Sequence, residues 1–193
     1  MSKVCMKWIC HVFFLLCLGF ASQARAVTYL TQEQALALAF QDPSTTKQHE
    51  LIFDEAHRQL IEKKLGESVP QRGVLAYTGK LKSGEEHGVV IFDAVIGKHE
   101  AIDYMVVLDG DGKVKFIEVL VYRESYGGEI RRESWRKQFK EKSEKDLPEH
   151  EKNIVNISGA TLSCRHVTNG VRKLLAVAGV YAGELGLKTQ KIE

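Results

Sequence analysis

Two serines, a glycine, an alanine, a threonine and a leucine stand at the head of the longest apolar-periodic stretch, as Ser158-Gly159-Ala160-Thr161-Leu162-Ser163. Ser158 is of the type that caps a helix N-terminus, and the residues behind a cap present backbone N–H groups with no partner inside the helix. With the positive end of the helix dipole, those donors suit a phosphate. Gly159 and Ala160 are small enough to let a bulky anion approach the backbone. Thr161 adds a hydroxyl that can hydrogen-bond a phosphate or be esterified by one. The same residues also fit a helix start that binds nothing, because capped helix starts are common. Arg165 and Arg172, one and three turns further on, are candidate phosphate partners, with Arg172 read rather as a surface charge.

Other signals are weaker. An EF-hand loop beginning at Asp109-Gly110-Asp111-Gly112 needs an acid at its twelfth position, which is Leu120, so the segment reads as a hairpin turn. His49, His57, His87, His99, His150 and His166 show no paired metal-ligand spacing. Cys164 and His166 supply two ligands where a structural zinc needs four. As a nucleophile pair they diverge by about 200° on a helix. No general-base or nucleophile constellation is present, and no C-x-x-C-H for haem.

The elements that must position the Ser158 segment are legible. Thr31-Gln32-Glu33-Gln34 is a capping-box pattern opening a short helix. A second helix is expected over 50–65, with Ile52, Ala56 and Leu60 on one face. Strands are expected over 75–81, 87–96, 101–108 and 114–122, joined by turn residues. The last of these is apolar on both faces, which predicts a central position covered on both sides. Hairpin-length joins imply an antiparallel sheet, so the class is α+β. An amphipathic helix is expected over 131–140 with Trp135 and Phe139 one turn apart. The long C-terminal helix starts at the S-G-A-T motif and buries Ala160, Cys164, Val167, Val171, Leu174, Ala178 and Leu185.

Composition narrows the function. The chain has 193 residues, 44% of them hydrophobic and 27% charged, which is ordinary for a globular domain. Lys3 and Lys7 precede the apolar run 8–20, which ends near Ala24-Arg25-Ala26, the pattern of a removable export signal cleaved after Ala26. Thirteen residues span only about 20 Å as a helix, short of a hydrocarbon core; a retained anchor is the alternative. Taking Lys3, Lys7 and Arg25 from the 27 basic residues leaves 24 against 25 acidic, a net of −1. That sets general nucleic-acid binding aside. Cys5, Cys10 and Cys17 leave with the signal, so Cys164 stands alone and no internal disulfide forms.

Residues 157–163 resemble the S-G-A-T-x-[ST] signature of the FMN-binding domain family, which includes the G subunit of the Rnf complex and the C subunit of sodium-translocating NADH:quinone oxidoreductase. Tyr122-Arg123-Glu124-Ser125-Tyr126-Gly127-Gly128 is similar to the family's strand-ending E-[ST]-x-G segment. Trp135 to Phe139 sits where the family has an aromatic helix. The likeness covers roughly 73–178. It implies residues 73–193 as the FMN-binding domain and 27–72 as an N-terminal helical segment of the same domain. In the named subunits the signature threonine carries FMN as a phosphoester, installed by an FAD:protein FMN transferase. The covalent motif usually has an aspartate three residues before the serine. Here Val155 stands there, followed by Asn156, so esterified FMN at Thr161 and non-covalent FMN both stay open.

The resemblance implies an exported, periplasmic or membrane-associated FMN protein that relays electrons to membrane-bound or periplasmic redox partners. Its cofactor-binding residues would be Ser158, Gly159, Ala160, Thr161, Leu162 and Ser163 with Glu124, Ser125, Tyr126 and Gly127. Tyr126, Leu162 and the Gly127-Gly128 turn can wall a flavin ring, while Glu124 either bonds the flavin or caps the strand end. The competing readings are a binding or assembly module of the same fold without flavin, and a flavin-dependent reductase.

Overall fold

The computed structural model describes residues 26–188. The export signal expected over 1–26 therefore lies, apart from Ala26, outside the described residues. No described helix is long and apolar enough to cross a membrane.

The strands are β1 (Val27–Thr28), β2 (Lys47–Ile52), β3 (Gly73–Gly79), β4 (Gly88–Ile96), β5 (Ala101–Asp109) and β6 (Val114–Tyr122). They form one antiparallel sheet in the order β1-β6-β5-β4-β3-β2. The helices are α1 (Gln32–Ala39), α2 (Glu55–Leu65), the single turn α3 (Glu133–Arg136) and α4 (Thr161–Val180). The class is α+β, as expected, with the long helix packed on the sheet.

Alternation along the middle strands divides the core. On β5, Ile102, Tyr104, Val106 and Leu108 join the cluster under α4, while Met105 and Val107 join a smaller cluster with Ala35 and Ala39 of α1. Side chains on a strand point to opposite faces in turn, so a strand covered on both sides must be apolar on both. This holds for β6 too, with Ile117 in one cluster and Leu120 in the other. Its position differs from the expectation: β4 and β5 are central, and only the two residues of β1 pair with the outer side of β6. Beyond β1 that outer side is occupied by the chain itself. Val114 exchanges 2.8 Å backbone bonds with Lys142 and Glu141, and Arg136 Nη1 donates to the Ile117 carbonyl at 2.7 Å.

Residues 27–72 contribute two strands as well as helices, which corrects the expected helix over 50–65. Residues 47–52 are strand, and α2 begins behind the Asp54 cap, whose carboxylate accepts from His57 N–H at 2.9 Å. The face chosen from Ile52, Ala56 and Leu60 is the exposed one; Ile61 and Leu65 turn inward. The capping box of α1 forms as expected, with Thr31 and Gln34 bonded reciprocally.

The helix expected over 131–140 is broken into a 3-10 turn at Gly128–Arg131, then α3, then a second 3-10 turn at Lys137–Phe139. Tertiary bonds hold these turns, including Trp135 Nε1–H to the Val155 carbonyl at 3.0 Å. Trp135 and Phe139 still pack edge-to-face, 5.1 Å apart. The DGDG segment is the β5–β6 turn, with Asp109 accepting from the N–H groups of Asp111 and Lys113. No metal-holding cluster occurs among the described residues. Helix α4 stops at Val180, so Leu185 is buried from the turns that follow rather than from the helix.

One ion pair is deeply placed. The Asp93 side chain has no solvent exposure, and Lys173 Nζ lies 2.9 Å from its Oδ2. Tyr104 donates to the same oxygen at 2.5 Å and Gln71 to Oδ1 at 3.1 Å.

Candidate functional site

Sheet end and helix start meet at one pocket of about 370 Å³, at the small end of the range for ligand sites. Its helix side consists of Gly159, Ala160, Thr161, Leu162 and Ser163, and its sheet side of Glu124, Ser125 and Tyr126. Two segments more than thirty residues apart in the chain thus line one cavity. The β4–β5 turn closes a third side with Lys98 and His99.

The helix start is built differently from the expectation. Ser158 is exposed and does not cap α4; the cap position is Ala160, with no side-chain bond. Gly159 is the reason. Its φ of +85° turns the chain between Ser158 and the helix, in a conformation that non-glycine residues rarely adopt. Ala160 N–H bonds back to the Ile157 carbonyl at 3.0 Å, and the first helical bond runs from Cys164 N–H to the Ala160 carbonyl at 2.9 Å. The N–H groups of Thr161, Leu162 and Ser163 have no partner among the described residues. These three are the donors the phosphate argument needs, displaced two residues from where a Ser158 cap would set them. Ser158→Ala should therefore change stability by no more than about 0.5 kcal/mol, which a thermal melt checks.

The hydroxyls divide their roles. Asn156 Nδ2 donates to Thr161 Oγ1 at 3.0 Å, while Asn156 Oδ1 accepts from Ile157 N–H at 2.9 Å. With its oxygen so supplied, Thr161 has its own proton free for an acceptor in the pocket. Ser163 is buried, and its hydroxyl meets the Tyr122 hydroxyl at 2.9 Å. Tyr122 donates its one proton to the Tyr126 carbonyl, so Ser163 is the donor to Tyr122. This bond chain locks the end of β6 to the first turn of α4. Gly127 sits against it: φ is +93°, and a Cβ there would lie 2.7 Å from both the Ser163 and Tyr122 hydroxyl oxygens.

Glu124 does cap. Its Oε1 accepts from the N–H groups of His99 at 2.5 Å and Glu100 at 2.9 Å, and His166 Nδ1–H holds the Gly97 carbonyl at 2.9 Å. The two contacts fix the β4–β5 turn that carries Lys98. Burial works to raise the Glu124 pKa, but the N–H groups of Glu100, His99 and Lys98 together outweigh it and hold the carboxyl below its ordinary 4.5. A depressed carboxylate contributes stability that is present above 4.5 and lost as pH falls through the lower folded value. Glu124→Gln should accordingly be less stable than the parent at neutral pH, and the gap should close in acid. Paired urea titrations at pH 7 and pH 3 test this.

Arg165 and Arg172 do not line the pocket. Arg165 is exposed, and Arg172 bonds the Leu65 carbonyl at the end of α2. The cation present is Lys98, which has no ion-pair partner among the described residues. Cys164 is fully buried and burial pushes its thiol up, so it is an inert core residue.

Three unpartnered N–H groups, an unpaired ammonium and a hydroxyl with a free proton suit a phosphate, and the exposed Tyr126 ring beside them suits a planar group. Residues 97–176 match the model of the FMN-binding domain family. This region is an FMN-binding domain. The match begins at Gly97, in the turn that carries Lys98, and contains every residue lining the pocket. Strands β1 to β4 and helices α1 and α2 lie outside it. No curated protein matches the chain.

The lining of the FMN-binding domain's pocket at the α4 start has the donors that a phosphate needs. Sequence reasoning missed Lys98, His99 and Tyr122. Lys98 and His99 lie in a turn some sixty residues from the signature, and only the sheet topology brings them to it.

Proposed function

We propose that the protein is an exported electron carrier that binds FMN between the start of α4, the end of β6 and the β4–β5 turn. The observation that carries this reading is the convergence of three free N–H groups and Lys98 on one pocket, within the region that matches the FMN-binding domain. When bound, FMN supplies the redox chemistry. The chain's own residues do the rest. Lys98 and the N–H groups of Thr161, Leu162 and Ser163 hold the phosphate, Thr161 donates to it, and Tyr126 and Leu162 flank the ring. The resemblance to the electron-relaying subunits, with the match of residues 97–176 to the FMN-binding domain, supports a carrier rather than an enzyme with its own small-molecule turnover. Its partners are membrane-bound or periplasmic redox proteins.

Thr161 is also the residue for an ester. The position of the usual aspartate is Val155, whose side chain is 71% exposed, and the group bonded to Thr161 Oγ1 is an amide donor, not a base. Both facts support phosphate binding without a covalent bond. The test is an absorbance spectrum of protein made with a flavin transferase present, before and after acid precipitation, with intact mass. Colour released to the supernatant bears out non-covalent FMN. Colour kept in the pellet with one added FMN mass replaces that with an ester at Thr161, which Thr161→Ala must then abolish. Colourless protein that takes up no added FMN overturns the flavin reading and leaves a binding module of the same fold.

A further inference from the structure

A second cavity lies further along α4, and binding FMN makes no use of it. It holds about 310 Å³ between the end of α2, the end of β4 and the middle of α4. Ligand sites run from about 300 to 1,000 Å³, so this one suits a molecule of about one ring. Its walls are apolar, from Leu65, Val69, Val95 and Ile96. Ile96 is 61% exposed there, an apolar side chain left without cover.

The polar groups come from one face of the helix, where His166, Asn169 and Lys173 follow at three- and four-residue steps. The Gly97 carbonyl fixes the imidazole. A carbonyl only accepts, so Nδ1 carries the proton and Nε2 of the neutral ring is a bare acceptor. Nε2 has no partner among the described residues and is not sealed from solvent. Asn169 is exposed, and Lys173 gives one proton to Asp93 and another to Gln71, which leaves its third. The cavity offers one acceptor beside donors on an amide and an ammonium.

Charge decides among the ligands these groups suit. The Lys173 ammonium disfavours a cation, while Glu67 in the lining and Asp93 behind Lys173 disfavour an anion. A hydroxyl meets the rest, since it donates to Nε2 while its oxygen accepts from Asn169 or Lys173. A phenolic hydroxyl is a stronger donor than an alkyl one, and its ring suits the apolar walls.

We infer that this cavity is a second ligand site, for a small uncharged molecule with a phenolic hydroxyl, which His166 Nε2 orients. The site needs no flavin. Phenol itself is the probe, titrated into the intact, isotope-labelled protein while the His166 ring nitrogens are followed by NMR. The Nε2 resonance should move saturably. Anisole keeps the ring but lacks the proton, and should bind about tenfold more weakly because Nε2 stays unpaired. His166→Asn sets an amide N–H where Nδ1 stood, so it should keep the turn and the melting temperature but lose about tenfold in phenol affinity. Asn169→Ala alters an exposed side chain and should weaken phenol severalfold with an unchanged melt. No saturable shift at His166, anisole binding as well as phenol, or parent-like affinity in both variants overturns the inference. So does benzoate or cyclohexanol binding more tightly than phenol. The expected phenol shifts in protein that takes up no FMN would sink the proposed function and leave this site standing.

Discussion

Lys173→Met is expected to destabilise the fold by about 3–5 kcal/mol, the usual consequence of removing one partner from a buried ion pair. Lys173 Nζ stands 2.9 Å from a carboxylate whose side chain has no solvent exposure. Without it, Asp93 keeps only neutral donors, Tyr104 and Gln71. Burial first, and then the Asp93 charge, push the Tyr104 hydroxyl well above its ordinary pKa, so it stays protonated and cannot supply the missing positive charge. Urea unfolding should show a lower midpoint with an unchanged slope. Adding Asp93→Asn to Lys173→Met should recover much of the loss, since the uncompensated charge is then gone. A single variant within 1 kcal/mol of the parent would refute the account. The same network explains a glycine in the middle of a long helix: a Cβ at Gly170 would lie 2.1 Å from the Tyr104 hydroxyl.

The second large effect is at the pocket. Gly127→Val should lower stability by about 2–5 kcal/mol, combining about 1–2 for a left-handed backbone with about 1–3 for overpacking. It should also weaken FMN binding at least tenfold, because the added carbon displaces the Tyr122–Ser163 bond that joins the two pocket walls. Gly159→Ala separates the two causes. Gly159 also has positive φ, but nothing lies within 4 Å of its added Cβ. It should show the backbone cost alone. FMN titration followed by flavin fluorescence, with a thermal melt of each variant, gives both numbers. Equal effects at the two glycines would mean that the hydroxyl chain is not what holds the pocket together.

Much of this architecture is legible in the residues. Strands β3 to β6 follow from β-branched runs between turn residues, and the buried face of α4 from its three-and-four spacing. The failures have physical reasons. In β2, His49 and Leu51 face inward with Ile52 outward. A period of two there was masked by the four-residue step from Ile52 through Ala56 to Leu60. β6 is covered on both faces yet lies next to the two-residue edge strand β1, because covering both faces does not require two full-length neighbours. At the site, a serine before Gly-Ala-Thr looks like a cap, yet the left-handed turn at Gly159 sets it outside the helix. Lys98 has no local mark at all: it is one lysine in a hairpin turn until the sheet brings that turn beside α4.

The packing of residues 136–142 along β6 has a consequence for how the protein behaves among other copies of itself. A strand with unpaired N–H and C=O groups templates the addition of another chain. Here Lys142 and Glu141 occupy the backbone of Val114, and the Arg136 guanidinium, paired with Glu118, occupies the carbonyl of Ile117. β1 takes the far end of the strand. A strand from a neighbouring molecule would have to displace a desolvated arginine–glutamate pair before it could form a ladder, which makes this side of the molecule a poor seed for fibrils even when the protein is crowded.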